Sequence, residues 1–324
     1  VSVTAAQGFL ACGIAAGIKE SGDPDLALVV NRGPSRAAAG VFTSNRVQAA
    51  PVRWSRRVLA DGRISAVVLN SGGANACTGQ AGAVDTRLTA ERTADAVGVE
   101  GWTVGGMAKG AGMLAPGLAT MLVVLTTDAD VDAENLDEAL RDATRATFDR
   151  VDSDGCMSTN DTVLLLASGA SGLAPGPEAF TEAVHAVCLD LAGQLVADAE
   201  GASKEIEVHV VGAVSEEDAV EVARSVARNN LLKCALHGED PNWGRVLSAI
   251  GTTAAVFDPD RLDVAINGVW VCRDGAAGEP RDEVDLSDRR ITITADLRSG
   301  DASAVVWTND LTAEYVHENS AYSS

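Results

Sequence analysis

The chain has 324 residues and a formal net charge of −21, from 25 Lys and Arg against 46 Asp and Glu. Such acidity repels phosphate backbones and anionic membrane surfaces, and the few cations are scattered, so the composition argues against nucleic acid or a membrane as partner. At 46% hydrophobic and only 4% aromatic residues, the chain can fill one large core or two smaller ones with aliphatic side chains.

In chain order, LALVVN (26–31), AAAGVFT (37–43) and SAVVLNSGG (65–73) each run into Gly, Asn or Thr and predict strands. Residues 85–97 predict a first helix, and glycines at 98, 101, 105 and 106 lead into the loop GAGMLAPGLAT (110–120). Residues 121–125 are apolar without alternation, the pattern of a strand buried on both faces. From the N-cap Asp132 to Arg150, Leu136, Leu140 and Ala143 repeat at helical spacing. A longer helix over 178–200 puts Phe180, Val184, Val187, Leu191 and Leu195 on one face, with Gly201 placed to stop it. Alternation of Ile206, Val208 and Val210 predicts a strand, and Ser215 with Asp218 caps a third helix ending near Asn230. Strands follow at 262–266, 291–297 and 302–307, before a polar end, HENSAYSS. Strands grouped on either side of a helical middle predict an α/β protein of the α+β type, a layered sheet-and-helix fold, over a doubly wound one.

The six cysteines form no CxxC pair and the four histidines do not sit at ligand spacing with them. Neither a disulfide framework nor a metal site is expected. With no stretch of membrane-span length and no signal-peptide anatomy, the expected location is the cytoplasm.

At the seam between loop and strand stands Ala119–Thr120. A threonine hydroxyl attacks poorly until a base takes its proton; a Thr made N-terminal by a cut carries that base as its own α-amine, with a pKa near neutrality. Gly110, Gly112 and Gly117 permit strained or close-approach backbone, Pro116 stiffens the loop, and Ala119 adds little bulk beside the hydroxyl. Taken alone, Thr120 reads more readily as a β-branched residue opening a strand.

The segment MAKGAGMLAPGLATMLVVLTTDA (107–129) resembles the self-cleaving segment of the bifunctional ornithine acetyltransferase and N-acetylglutamate synthase family of arginine biosynthesis. GFLACGIAAGIK (8–19), AAGVFTSNRVQAAPV (38–52), NSGGANACTG (70–79), STNDTVLLLASG (158–169), ADAEGASK (197–204), DPNWGRV (240–246) and ENSAYSS (318–324) resemble further blocks of that family, in its order. The resemblance implies an N-terminal-nucleophile-like enzyme self-processed into an α chain, 1–119, and a β chain, 120–324, assembled as an α2β2 heterotetramer. Thr120 would take the acetyl group of N2-acetyl-L-ornithine as an ester, release ornithine and pass the group to L-glutamate. No cofactor is implied, although some relatives also accept acetyl-CoA as donor. By the same resemblance Lys109 would hold the substrate's α-carboxylate, Glu200 would face its cationic end, and Asn319 and Ser324 would close over the site.

Read without the resemblance, Lys109 is a solvated charge, Glu200 an exposed carboxylate ending a helix, and the polar tail frayed. Thr159, Asn160 and Asp161 lie in a turn-rich string shaping the floor of the site, with Asp161 in a structural, capping role. Trp243 reads as core, His237 has no motif support as a base, and NSGGANACTG reads as a tight turn, since no GK[ST] follows it.

The chain departs from the family between Glu100 and Gly101, where it passes over several dozen residues that hold the family's Thr-Gly pair of oxyanion donors and a substrate-contacting Thr. One such donor is commonly worth about 3 kcal/mol. The departure implies an uncut, impaired enzyme, or a stretch left out of this sequence, or backbone amides near Gly105 and Gly106 acting instead. Two further readings stand beside acetyl transfer: a non-catalytic relic that keeps its binding or assembly surfaces, and an amidohydrolase that gives the acyl-enzyme to water.

Overall fold

A computed structural model describes residues 2–19, 22–71, 86, 103–110 and 121–321. Along the chain run β1 (Phe9–Ile14), β2 (Leu26–Asn31), β3 (Ala38–Phe42), α1 (Ala50–Val58), β4 (Ala66–Asn70), β5 (Val104–Lys109), β6 (Leu122–Thr127), α2 (Ala133–Ala146) and β7 (Thr162–Ala167). The long α3 (Pro177–Ala197) leads to β8 (Glu205–Ala213), α4 (Glu216–Ala227), α5 (Asn230–His237) and α6 (Trp243–Ile250). Then come β9 (Asp263–Ile266), β10 (Val269–Arg273), β11 (Ala276–Ala277), β12 (Arg290–Asp296), β13 (Ala302–Asn309) and α7 (Ala313–Ala321).

The parallel pair β6 and β7 is the centre of a sheet ordered β3-β7-β6-β5. Both strands are buried along nearly their whole length, which their unbroken apolar sequence demands, because each face of this sheet is covered. On one face α2 and α3 bring Leu136, Leu140, Phe180 and Leu191 onto Val123, Leu125, Val163 and Leu165. On the other, Val124, Leu164 and Leu166 meet Phe9, Val29 and Val67 from the antiparallel sheet β1-β2-β4.

A six-stranded sheet, β11-β10-β9-β12-β8-β13, has its own core, in which Ile206, Val208 and Val210 pack with Val222, Val226, Leu236 and Ile250 of α4, α5 and α6. Backbone bonds tie this body to the first: Val151 bridges Trp307, whose carbonyl accepts the Asp152 N–H at 2.8 Å. Buried Lys233 adds bonds from its ammonium to Ser153 O and, at 3.0 Å, to Thr308 Oγ1. These bonds fix where the stretch 152–161 enters the space between the layers.

The layered α+β architecture is the one expected. Asp132 caps α2 by accepting the Asn135 N–H, and Ser215 caps α4 by accepting that of Asp218. The helices are shorter than their apolar periodicity suggests. α2 ends at Ala146 because Thr147 leaves helical geometry, and a short turn, Phe148–Arg150, follows. α3 ends at Ala197, with Asp198 as its cap, so Glu200 stands in the turn beyond the helix and Gly201 is not its terminator. The third helix ends at Ala227, close to the expected end near Asn230, and a further helix, α5, starts where Asn229 accepts the Leu232 N–H. The tail is helical as α7, where a polar composition reads as frayed. At 21 residues with mean hydropathy 1.2, α3 does reach the length and composition of a membrane span, against expectation, but Phe180, Val184, Cys188, Leu191 and Leu195 bury its apolar face in the core. The helix expected over 85–97 and the turn over 72–79 lie outside the described residues, Thr86 excepted.

Leu165 is fully buried at the centre of β7. Replacing it by Ala is expected to cost about 2–5 kcal/mol, read from the urea midpoint at unchanged m-value.

Candidate active site

Met121, the residue after position 120, is pinned at both backbone groups. Its N–H donates to Asp161 Oδ1 at 3.2 Å, and its carbonyl accepts the Thr162 N–H at 3.1 Å. Asp161 is fully buried, and its own carbonyl takes the Thr43 N–H at 3.1 Å, just past β3. Its other carboxyl oxygen, Oδ2, is buried with no hydrogen-bond partner among the described residues. Burial pushes the Asp161 carboxyl up to about 9 against hydrogen bonds from Met121 and Ser158, with the like charge of Asp149 adding to the push. At neutral pH this group keeps its proton.

β5 runs antiparallel to β6 with Lys109 opposite Leu122, so Lys109 ends its strand beside the start of the next. The residue is exposed, yet protein packed around it lowers its pKa below the ordinary lysine value. The charge of Lys19 lowers it further, and Glu200 opposes both. Lys19 arrives on a loop folded about buried Asp25, whose carboxylate accepts the N–H groups of Ala16 and Ile18 at 2.5 Å and of Lys19 at 2.9 Å. Those bonds, Ala16 foremost, hold the Asp25 carboxyl below the usual carboxylate range.

Glu200 is half-buried, and its Oε2 is buried without a hydrogen-bond partner among the described residues. An unmet acceptor of this kind costs about 1–3 kcal/mol, a cost that a cationic ligand removes. The turn that carries it crosses α7 closely. Gly201 has φ +65°, and a Cβ there would lie 2.3 Å from Tyr315 N. Thr312 Oγ1 donates to Gly201 O at 2.7 Å and accepts the Tyr315 N–H at 2.9 Å. The Tyr315 hydroxyl donates to Asp154 Oδ2 at 3.4 Å. Burial first, then the charges of Asp154, Cys156 and Glu200, push that hydroxyl up to about 12, so it remains a donor. One turn on, Asn319 is exposed and donates to Tyr315 O at 2.9 Å.

The base of α7 is anchored by Asp310. Its Oδ1 accepts the N–H groups of Ser203 at 2.9 Å and Lys204 at 2.8 Å; its Oδ2 takes the Ser203 hydroxyl at 2.5 Å and faces His237 Nδ1 at 2.8 Å. Burial opposes the charge, but the Ser203, Lys204 and His237 hydrogen bonds keep this carboxyl below the usual range.

Glu200 acts through its charge on Lys109 and on Tyr315, and Tyr315 stands one turn from Asn319. Thr120, Ala119 and Ser324 lie outside the described residues. Gly105 and Gly106 do not stand at the seam. They sit within β5 opposite Thr126 and Leu125, and a Cβ would strike Ser2 O at 2.2 Å or Leu125 at 2.6 Å, so the close packing here calls for glycine. Trp243 packs on the second core, and His237 is engaged with Asp310 and Ser203. Among the described residues no group of three or more His, Cys, Asp or Glu could hold a metal ion, and Cys12, Cys156, Cys188, Cys234 and Cys272 are free. Tyr315 and Asp154 were not legible as site residues; the one signal was the four-residue spacing of Tyr315 and Asn319 on what proves to be a helix.

The model of the ArgJ family matches residues 10–101 and 97–324. The chain is 63% identical to the arginine biosynthesis bifunctional protein ArgJ of Streptomyces avermitilis and 53% identical to that of Thermobifida fusca, each over 383 aligned positions covering 100% of both proteins. With 324 residues here, 59 of those positions face no residue of this chain, and the family match divides at 97–101. The crystal structure of the ArgJ protein of Bacillus halodurans superposes with a TM-score of 0.59 at 35% identity, covering 61% of this chain and 98% of that one.

The depressed Asp310 pKa sets a sign. Its stabilisation is fully present above the ordinary carboxylate value of 3.8 and is lost as pH falls through the lower folded value. Asp310→Asn is expected to flatten the fall in melting temperature between pH 5 and pH 3, measured by circular dichroism; an acid limb identical to that of the parent protein contradicts this.

Proposed function

Because the chain belongs to the ArgJ family, we propose that it moves the acetyl group of N2-acetyl-L-ornithine to L-glutamate in arginine biosynthesis, through Thr120 freed as an N-terminus by scission of the Ala119–Thr120 bond. The observation that carries this reading is Lys109, a cation ending a strand, opposed by the charge of Glu200, a carboxylate with an oxygen unmet among the described residues. Such a pair suits a substrate with a carboxylate at one end and an ammonium at the other.

In this reading the Thr120 α-amine takes the hydroxyl proton as Oγ1 attacks the acetyl carbonyl. The tetrahedral adduct collapses, the C–N bond breaks, and the amine returns the proton to the departing ornithine nitrogen. The neutral amine of glutamate then attacks the acetyl ester, and Oγ1 leaves with the proton. Lys109 holds the α-carboxylate, Glu200 and the adjoining Tyr315–Asp154 pair face the side-chain ammonium, and Asn319 with Ser324 closes over the site. The cut chains assemble as an α2β2 heterotetramer in the cytoplasm without a cofactor. Acetyl-CoA serves as a further acetyl donor to glutamate, a proposal supported by the word bifunctional in the relatives' names.

A second reading rests on the 59 positions that face no residue of this chain: a relic that binds amino acids without turnover. Inserting a relative's segment between Glu100 and Gly101 separates the two, since gain of transfer from nothing supports the relic. Acetate release without N-acetylglutamate identifies an amidohydrolase instead.

Thr120→Ala is expected to leave one intact chain by mass spectrometry and to reduce acetyl transfer by at least about a thousandfold. Glu200→Gln is expected to raise the KM for N-acetylornithine by roughly 10- to 100-fold with a smaller change in kcat, the loss of a charge-assisted contact. An intact parent chain with full transfer activity refutes the nucleophile reading.

A further inference from the structure

The cations, scattered elsewhere along the chain, gather in one stretch. Residues 46–63 hold Arg46, Arg53, Arg56, Arg57 and Arg63 against the single acid Asp61, in a molecule of net charge −21. Three of these arginines lie on α1, where the spacing 53, 56, 57 puts them on one face as i, i+3 and i+4 neighbours. All three are exposed, and no carboxylate among the described residues forms an ion pair with any of them. Arg56 and Arg57, in the last turn, suit the negative end of the helix dipole, but Arg53 closes the first turn, where a cation is disfavoured. Like charges on neighbouring positions of a helix repel, so the forces within α1 do not account for the set.

The guanidinium groups are nonetheless held in place. Arg57 lies over the Trp54 ring, 4.3 Å from its centroid, and Arg56 over that of Phe42 at 5.1 Å. Arg53 Nε donates to Gln48 O at 3.1 Å, and an Arg56 N–H donates to Thr43 O at 2.9 Å. Groups so held keep further N–H donors in the planar fork that matches phosphate oxygens, and lose little freedom on binding one. The helix is also rooted beside the Met121 clamp. Ahead of it the Ala49 N–H donates to Thr159 O at 3.2 Å, and the Thr43 N–H to Asp161 O at 3.1 Å. At the helical rise per residue, Arg57 lies about 12 Å along the axis from Ala49.

We propose that the Arg53, Arg56 and Arg57 face of α1 binds the phosphate groups of a nucleotide-bearing thioester donor, the coenzyme A end of acetyl-CoA; this rests on the reading of acetyl-CoA as a further acetyl donor. The match is one of charge and shape: several phosphate groups on one small molecule meet several fixed guanidinium forks that no protein carboxylate neutralises. A nucleic acid would meet the negative field of the whole molecule along its length, whereas a single nucleotide meets this face alone.

Titration calorimetry of coenzyme A into the parent chain and into the double variant Arg53→Ser, Arg57→Ser tests this without depending on turnover. Coenzyme A is expected to bind the parent chain, less tightly as salt is raised, and to bind the variant at least about tenfold more weakly. Adenosine 3′,5′-bisphosphate is expected to compete with it. Competition by inorganic triphosphate but not by the bisphosphate shows a general anion surface and overturns the proposal. No binding to the parent chain, or equal binding to parent and variant, overturns it as well, and so does a variant that binds coenzyme A normally but loses its association with a second copy. Acetyl transfer from N-acetylornithine is expected to be unchanged in the variant, so that reading stands or falls separately. Coenzyme A held through the arginines, with no acetylation of glutamate from acetyl-CoA, supports the binding face and refutes the donor reading alone.

Discussion

Two consecutive residues at the head of β7 hold both backbone groups of Met121, Asp161 by its N–H and Thr162 by its carbonyl. That clamp is where the central sheet begins, and the parallel ladder from Leu122 opposite Thr162 to Thr127 opposite Ala167 follows from it. With both strands buried on both faces, a slip of one residue would exchange the whole apolar set between the helix side and the sheet side. The core therefore enforces the register, and the register places Met121 at the head of β6.

The sequence carried much of the architecture because its signals are local. Unbroken apolar runs marked β6 and β7, alternation marked β8, and Asp132 and Ser215 marked helix starts by the hydrogen bonds they make. Helix ends were less legible, since apolar periodicity runs on past Ala146 and Ala197 into turns that serve other contacts. Strands β10 and β11 and helix α6 are short elements whose stability comes from the second core. For the site, Lys109, Glu200 and Asn319 could be named from family-like strings, but their proximity is a product of tertiary folding. Asp161 has the structural role expected of it, accepting the Met121 N–H, while its full burial is a product of tertiary folding that its neighbours in sequence do not announce.

The electrostatics of the site run counter to the rest of the molecule. A chain of net charge −21 gathers Lys19 and Lys109 near one carboxylate, and the Asp25 loop is spent on bringing Lys19 there. The ammonium of Lys19 disfavours the charged form of Lys109, which Glu200 partly offsets. A carboxylate ligand beside Lys109 would relieve the same repulsion, so the local field there favours an anion against the negative charge of the molecule as a whole.

Gly201 has one more implication. Because its backbone lies against that of Tyr315 with no room for even a methyl group, the Glu200 turn and α7 are mechanically one piece. An affinity tag or fusion partner attached downstream of α7 would pull on that piece directly, whereas one placed ahead of β1 hangs from a different sheet. Preparations meant to report native substrate affinity are best purified by a handle at the leading end.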